Sequence, residues 1–194
     1  YRRFFLGNFT STVGRWMYRM SVGWLTWELT KSTSWLGIVA FAEIFPTVVL
    51  SFIAGAIADR IGYGRVMRAC QVLITMVGIA FAALILGGWI TIELVLVLTI
   101  SYGTLEALST PARMSVVHSL VPAEDLTAAV ALGSTSFNGA RFLGPAIAGL
   151  LIAYMSIGVV MSICAVMFLQ FYLVLIFLRI NEGGRNRIMS LELV

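Results

Sequence analysis

Six long apolar stretches divide this chain of 194 residues, and each is long enough to cross a lipid bilayer as a helix. They cover residues 4–28, 35–58, 66–88, 91–112, 127–153 and 156–178. Charged residues make up only 11% of the chain, against roughly 25% in soluble domains, which is too few to cover a globule in water. The sequence therefore predicts an all-α membrane protein whose six transmembrane helices contact the lipid bilayer.

Basic residues between the stretches fall almost entirely on one side of the predicted bundle. The opposite side carries Lys31 alone, whereas this side carries Arg2, Arg3, Arg60, Arg65, Arg68, Arg113, Arg179, Arg185 and Arg187. Positively charged loops stay in the cytoplasm, so we expect a multi-pass protein of the inner (plasma) membrane with both ends of this chain cytoplasmic. Interfacial aromatic residues near the outer ends agree with this orientation: Trp24, Trp27, Trp35, Trp89 and Tyr154.

The chain lacks the residue patterns of several other functional classes. Its two cysteines lie inside apolar stretches and its single histidine, His118, is expected in a loop, so no metal site or cofactor is predicted. A phosphate-binding glycine-rich loop is absent, and the scattered arginines do not indicate nucleic-acid binding. No nucleophile–base set occurs within the apolar stretches, which argues against an intramembrane enzyme.

The connection between the second and third stretches reads IAGAIADRIGYGRVMR, residues 53–68. Gly55 and Ala58 are small enough to let a neighbouring helix approach closely, and Gly62 with Gly64 allows a tight reversal. Asp59 is the first charge to reach the interface and requires water or a cationic partner. We expect it to act as a cytoplasmic latch, with Arg113 as the nearest candidate partner.

This connection resembles the loop 2–3 signature of the major facilitator superfamily, G-x-L-A-D-R-x-G-R-K-x-x-L. The match covers Gly55, Ile57, Ala58, Asp59, Arg60, Gly62 and Met67. It departs at Tyr63 and Gly64, where the signature has two basic residues, and Arg65 is the candidate to supply one of those charges.

Residues 105–152 resemble the drug- and siderophore-exporter branch of that superfamily, including enterobactin exporters. The similar elements are Glu106, Pro111-Ala112-Arg113, Val121-Pro122, Glu124-Asp125-Leu126, Asn138 and the segment 141–149. The last part is similar to the exporter motif of helix 5, G-x-x-x-G-P-x-x-G-G, here with Ala140, Gly144, Pro145, Ala148 and Gly149. Small residues every fourth position predict close helix contact, and the proline predicts a kink that would let this helix pack against a rocking second bundle.

The resemblance implies the N-terminal half of a twelve-helix transporter, built as a 3+3 inverted repeat. Residues 1–178 would form the six-helix bundle and residues 179–194 the start of a cytoplasmic linker. The sequence Ile-Ala-Gly recurs at residues 53–55 and 147–149, near the ends of helices 2 and 5, which correspond in such a repeat. Since the chain opens on Tyr1, we expect it to be a fragment that lacks a C-terminal six-helix half.

Several polar residues lie at membrane depth, where they are costly to place. The first helix carries a polar stripe of Asn8, Ser11, Thr12, Arg15, Arg19 and Thr26. Glu43 lies at about the depth of Arg19, Glu106 nearer the cytoplasmic end of helix 4, and Arg141 with Asn138 within helix 5. The excess of arginine predicts a cavity that attracts anions or draws carboxylates from the missing half. Two interpretations stay open: a structural ion pair of Glu43 with Arg15 or Arg19, or a wet path for substrate and protons.

These features favour a secondary active transporter that exports small organic molecules, such as drugs or siderophores, by alternating access. In an antiporter driven by protons, Glu43 is the candidate coupling carboxylate, because burial and a neighbouring arginine have opposite effects on its protonation. A non-transporting membrane scaffold or sensor on the same fold is the alternative. A scaffold would gain nothing from arginines at membrane depth, whereas a transport path would use them.

Overall fold

The computed structural model describes residues 2–178, and its elements within that range are helices. The long helices are α1 (Arg2–Thr30), α2 (Thr33–Ile61), α3 (Tyr63–Leu86), α4 (Ile92–Leu120), α5 (Leu126–Tyr154) and α6 (Ile157–Phe177). A short 3₁₀ helix, Ala123–Asp125, precedes α5. The predicted linker, residues 179–194, lies outside the described residues.

Five of these helices, α2 to α6, are long and apolar enough to cross a membrane. Helix α1 has sufficient length but falls short in apolarity, because Arg15, Arg19 and several hydroxyl side chains interrupt it. Burial inside the bundle explains how it tolerates these residues. Arg15, Thr12 and Thr26 are buried against neighbouring helices and so are shielded from lipid.

Helix α4 is longer than the sequence predicts. It continues through Pro111 and Arg113 to Leu120, so the expected loop after residue 112 is wrong, and position 118 lies in a helix rather than in a loop. Transmembrane helices tolerate proline where other groups support the backbone. The hydroxyl groups of Ser109 and Thr110 both donate to the carbonyl oxygen of Glu106, five residues before the proline.

Helix packing in the bundle keeps its pattern when α1–α3 are exchanged for α4–α6. The most extensive pairs are α2 with α4, its counterpart α1 with α5, and α3 with α6; next come α1 with α6 and its counterpart α3 with α4. Helices α1 and α4 have little backbone contact with each other. Their side chains, rather than their backbones, meet at the centre of the bundle.

Glycines permit the two closest helix crossings. A Cβ atom on Gly144 of α5 would collide with the Cβ atom of Trp16 in α1 and crowd the α1 backbone beside it, and one on Gly103 of α4 would collide with the backbone of α2 at Glu43. Ala140 and Ala148 are fully buried on the same face of α5 as Gly144. The predicted close contact is confirmed, but its partner is α1 of the same bundle. This face is therefore not the surface for a second bundle that the sequence suggested.

Two apolar clusters fill the interior and a polar layer separates them. One contains Tyr18, Phe81, Tyr102 and Phe168; the other lies towards the α2–α3 connection and contains Phe4, Ala58, Met67, Ala112 and Phe171. Between them α1 contributes Thr12 and Arg15, and α4 contributes Glu106, Ser109 and Arg113. This layer is the first candidate for a functional site.

The substitution Gly144→Val is expected to destabilise the bundle by about 1–3 kcal/mol or more, because the added side chain meets the backbone of α1. Gly139→Val is the matched control, since a Cβ at Gly139 of the same helix meets nothing within 4 Å. Thermal unfolding of both full-length variants in detergent should show a lower Tm for Gly144→Val alone. Equal melting temperatures would contradict the close crossing of α1 and α5.

Candidate functional site

Glu106 is the centre of an ion-pair network in the polar layer. Its Oε1 atom lies 3.2 Å from Nη1 of Arg15 and 3.4 Å from Nη2 of Arg113. Arg15 also donates to the hydroxyl of Thr12 at 2.5 Å, and Arg113 donates to the hydroxyl of Ser109 at 3.2 Å. One carboxylate thus holds two guanidinium groups, and the network carries a net charge of about +1.

This network lies at mid-depth. Arg15 and Glu106 are at the midpoints of α1 and α4, each of which is 29 residues long. Both side chains are largely buried, with 10% and 18% of their surface exposed. The sequence left Arg15 and Arg19 as alternative partners of Glu43. In the structure Arg15 pairs with Glu106 instead, because α1 turns Arg15 towards α4 rather than towards α2.

A second ion pair joins α1 to α2. The Nε atom of Arg19 donates to Oε1 of Glu43 at 2.5 Å. Glu43 is 13% exposed, whereas Arg19 is 43% exposed, so the carboxylate is enclosed while its partner reaches the open side of the bundle. The pairing of Arg19 with Glu43 that the sequence predicted is present.

Trp16 brings a further arginine to this region. The guanidinium carbons of Arg19 and Arg141 lie 4.9 and 5.5 Å from the centre of its ring, within the range of cation–π attraction. Phe137 packs edge-on against the same ring at 5.8 Å. Arg141 is exposed at the midpoint of α5, and it makes no ion pair within residues 2–178. No sequence signal pointed to Trp16, since a tryptophan in an apolar helix resembles any other apolar residue.

The remaining predicted path residues lie around these groups. The backbone oxygen of Asn8 accepts a hydrogen bond from the hydroxyl of Thr12. The side-chain oxygen of Asn8 is buried without a hydrogen-bond partner among the described residues. Asn138 is exposed on α5 and donates to the backbone of Ser134. The rings of Tyr18 and Tyr102 stack at 4.2 Å in the neighbouring apolar cluster. The sequence did not single out this α1–α4 contact.

The α2–α3 connection forms the predicted tight reversal. Gly62 has φ of 104°, a left-handed conformation that favours glycine, whereas Gly64 already lies inside α3. Asp59 accepts a hydrogen bond from the hydroxyl of Tyr63. The predicted partner Arg113 is instead held by Glu106, so the expected Asp59–Arg113 pair is absent from the ion pairs of residues 2–178. Arg60 and Arg65 are exposed.

Small residues before this reversal have different roles. Ala58 is fully buried in the apolar cluster with Ala112, as the predicted close approach requires. A Cβ atom on Gly55 would meet nothing within 4 Å, so Gly55 permits no helix contact inside the described bundle. Gly149 of the helix 5 motif is likewise open. Pro145 lies inside α5, and its kink stays a prediction.

Comparison with known proteins places these features in a family. A family model with the description "Transmembrane secretion effector", of the major facilitator superfamily, matches residues 1–190. The chain belongs to this family. It is a multi-pass membrane protein of a superfamily of transporters rather than of enzymes, and the predicted membership of the major facilitator superfamily is confirmed.

A curated relative of this chain is the staphyloferrin A transporter of Staphylococcus aureus (strain NCTC 8325 / PS 47). The two are 31% identical over 157 residues, which cover 77% of this chain. The matched part spans only 38% of the relative's own length. The similarity supports the siderophore-transporter branch of the superfamily to which the sequence was compared.

Loss of the Glu106 carboxylate should destabilise this protein more than loss of the Glu43 carboxylate. Glu106→Gln leaves Arg15 and Arg113 without a counter-charge, and removing one partner of a buried pair typically costs about 3–5 kcal/mol. Glu43→Gln leaves only Arg19, which is 43% exposed and can be solvated. Thermal unfolding of the two matched variants in detergent measures the difference. A Tm that falls as far in Glu43→Gln would show that Glu106 is not the principal structural carboxylate.

Proposed function

We propose that this chain is the N-terminal half of a secondary active transporter that exports small organic molecules, such as drugs or siderophores, in exchange for protons. The observation that carries the proposal is the set of ion pairs at membrane depth, formed by Arg15, Glu106 and Arg113 and by Arg19 with Glu43. A charge at the middle of a bilayer costs about 2.5–3.5 kcal/mol, and such residues commonly line substrate or ion paths. A helix bundle with a purely structural role could use apolar contacts at the same positions.

Substrate class and direction rest on two resemblances. The curated relative is a siderophore transporter by name, which supports a small organic substrate. The resemblance of residues 105–152 to drug and siderophore exporters, with Pro145 inside α5, supports export rather than uptake. The direction is a proposal about the whole protein, because the chain matches only 38% of that relative.

A half-transporter architecture accounts for the helix packing. The most extensive helix pairs map onto one another when α1–α3 are exchanged for α4–α6, which supports a 3+3 inverted repeat. In the proposed architecture a second six-helix half completes the path, and rocking of the two halves alternates access to the site. The arginines at the α2–α3 end support a cytoplasmic location for that end and for both ends of this chain, in an inner membrane.

Proton coupling is assigned to Glu43. It is enclosed in the bundle, and its ion-pair partner is the partly exposed Arg19, so protonation of the carboxylate would release an arginine towards the path. Glu106 suits this role less well, because it holds two arginines and protonation would leave both uncompensated. The scaffold or sensor alternative predicts no flux at all, and a flux measurement therefore separates the two functions.

Flux of a siderophore or drug into liposomes containing the full-length protein tests this function. Wild-type protein should move substrate against its gradient when protons flow in the opposite direction. Glu43→Gln should flatten the pH dependence of that flux, because the proposed proton carrier is gone. Glu93→Gln is the matched control, since Glu93 is exposed near the start of α4. Absence of flux in wild-type protein would favour the scaffold alternative, and unchanged pH dependence in Glu43→Gln would remove Glu43 from the coupling role.

Asp59 is proposed as a latch at the cytoplasmic end. Asp59→Asn should reduce flux several-fold while leaving Tm nearly unchanged, because exposed polar contacts contribute only about 0–1 kcal/mol to stability. Tyr63→Phe removes the hydroxyl group that donates a hydrogen bond to Asp59 and leaves the Asp59 carboxylate in place. A milder loss in Tyr63→Phe would assign the latch to the charge rather than to this hydrogen bond. Wild-type flux in Asp59→Asn would eliminate the latch.

A further inference from the structure

Arg141 is an unpaired charge in the middle of a membrane helix. The other arginines near the middle of the bundle, Arg15 and Arg19, each have a carboxylate partner, whereas Arg141 makes no hydrogen bond or ion pair within residues 2–178. It is exposed, and Asn138 and Ser134 are exposed on the same helix at spacings of three and seven residues. Such a polar stripe suits a wet surface rather than lipid.

The surroundings of Arg141 form an open surface with two cationic groups on one aromatic ring. Since the guanidinium carbons of Arg19 and Arg141 lie 4.9 and 5.5 Å from the ring centre of Trp16, they are at most about 10 Å apart. Phe137 extends the apolar surface beside the ring. These four residues come from α1 and α5, which cross closely at Gly144 beside Trp16. The surface is therefore built on a rigid part of the bundle.

Both guanidinium groups retain free donors. A guanidinium has five N–H donors, and its planar fork binds a carboxylate through two parallel hydrogen bonds. Arg19 uses Nε for Glu43, and its two terminal nitrogens have no partner among the described residues. Arg141 has all of its donors available within the same residues. A molecule with two carboxylates a few ångströms apart could bind both forks.

We propose that Arg19, Trp16 and Arg141 form the binding site for an organic polycarboxylate, which is the substrate class of this transporter. The carboxylates bind the two guanidinium groups, and the body of the molecule lies on Trp16 and Phe137. This inference rests on the proposed transport function and names the chemistry of its substrate. The alternative partner of Arg141 is an acidic side chain from outside residues 2–178. The two arrangements predict different results in the binding test.

Binding of a small probe to the full-length protein in detergent tests the site without requiring transport. The probe is tricarballylate, which has three carboxylates, and its neutral trimethyl ester is the matched ligand. Isothermal titration calorimetry should show binding of the acid and none of the ester. Arg141→Gln should weaken binding about tenfold or more, because a hydrogen bond to a charged group is lost. Arg141→Lys, which keeps the charge without the fork, should weaken it less.

Arg3→Gln is the control variant. Arg3 is exposed at the start of α1, so this substitution removes the same charge far from the site. It should bind the acid as wild type does. No binding of the acid by wild-type protein, equal binding of acid and ester, or equal affinity in Arg141→Gln and wild type would each overturn the proposal. If Arg141→Gln fails to fold, Arg141→Lys tests the proposal instead. Wild-type affinity in Arg141→Lys would overturn the proposed binding of a carboxylate by the Arg141 guanidinium group.

A lower Tm in Arg141→Gln without a change in affinity would assign Arg141 to an acidic side chain of the protein and would also overturn the site. The same protein placed in liposomes separates this inference from the function on which it rests. Charge-dependent binding without flux would support the proposed binding site and refute the transport function. Flux that is the same in Arg141→Gln as in wild type would support the transport function and refute the binding site.

Discussion

The burial of charge at the middle of the bundle is the constraint on which the other features depend. Glu106 lies between Arg15 and Arg113, and none of these side chains could stay at that depth alone without a cost of about 2.5–3.5 kcal/mol. The pairing requires α1 and α4 to face each other at a fixed separation. Their direct backbone contact is small, so that separation is set by the helices packed behind them.

Those outer contacts are made by shape rather than by the hydrophobic effect, since lipid is as apolar as the side chains that face it. Gly144 brings α5 against the backbone of α1, and Gly103 brings α4 against the backbone of α2. The two crossings belong to two of the most extensive helix pairs of the bundle, α1 with α5 and α2 with α4. Each pair thus consists of one inner helix with polar groups and one outer helix that positions it.

Helix locations could be predicted from sequence because a backbone in lipid must satisfy its own hydrogen bonds, so long apolar stretches become helices. Five of the six helices end within a few residues of the predicted limits. The exception is α4, where the sequence suggested a stop near Pro111 and Arg113. The helix nevertheless continues to Leu120, and Glu106 neutralises Arg113 within it.

The sequence by itself determined the class of protein, the family and the identity of the charged residues at membrane depth, because polar side chains stand out in an apolar helix. Only the tertiary structure decided their partners. Glu106 pairs with both Arg15 and Arg113, and Asp59 accepts a hydrogen bond from Tyr63. Trp16 makes cation–π contacts with Arg19 and Arg141. Pairing across helices depends on the rotation and separation of each helix, and these are set by contacts between small residues that lie far apart along the chain.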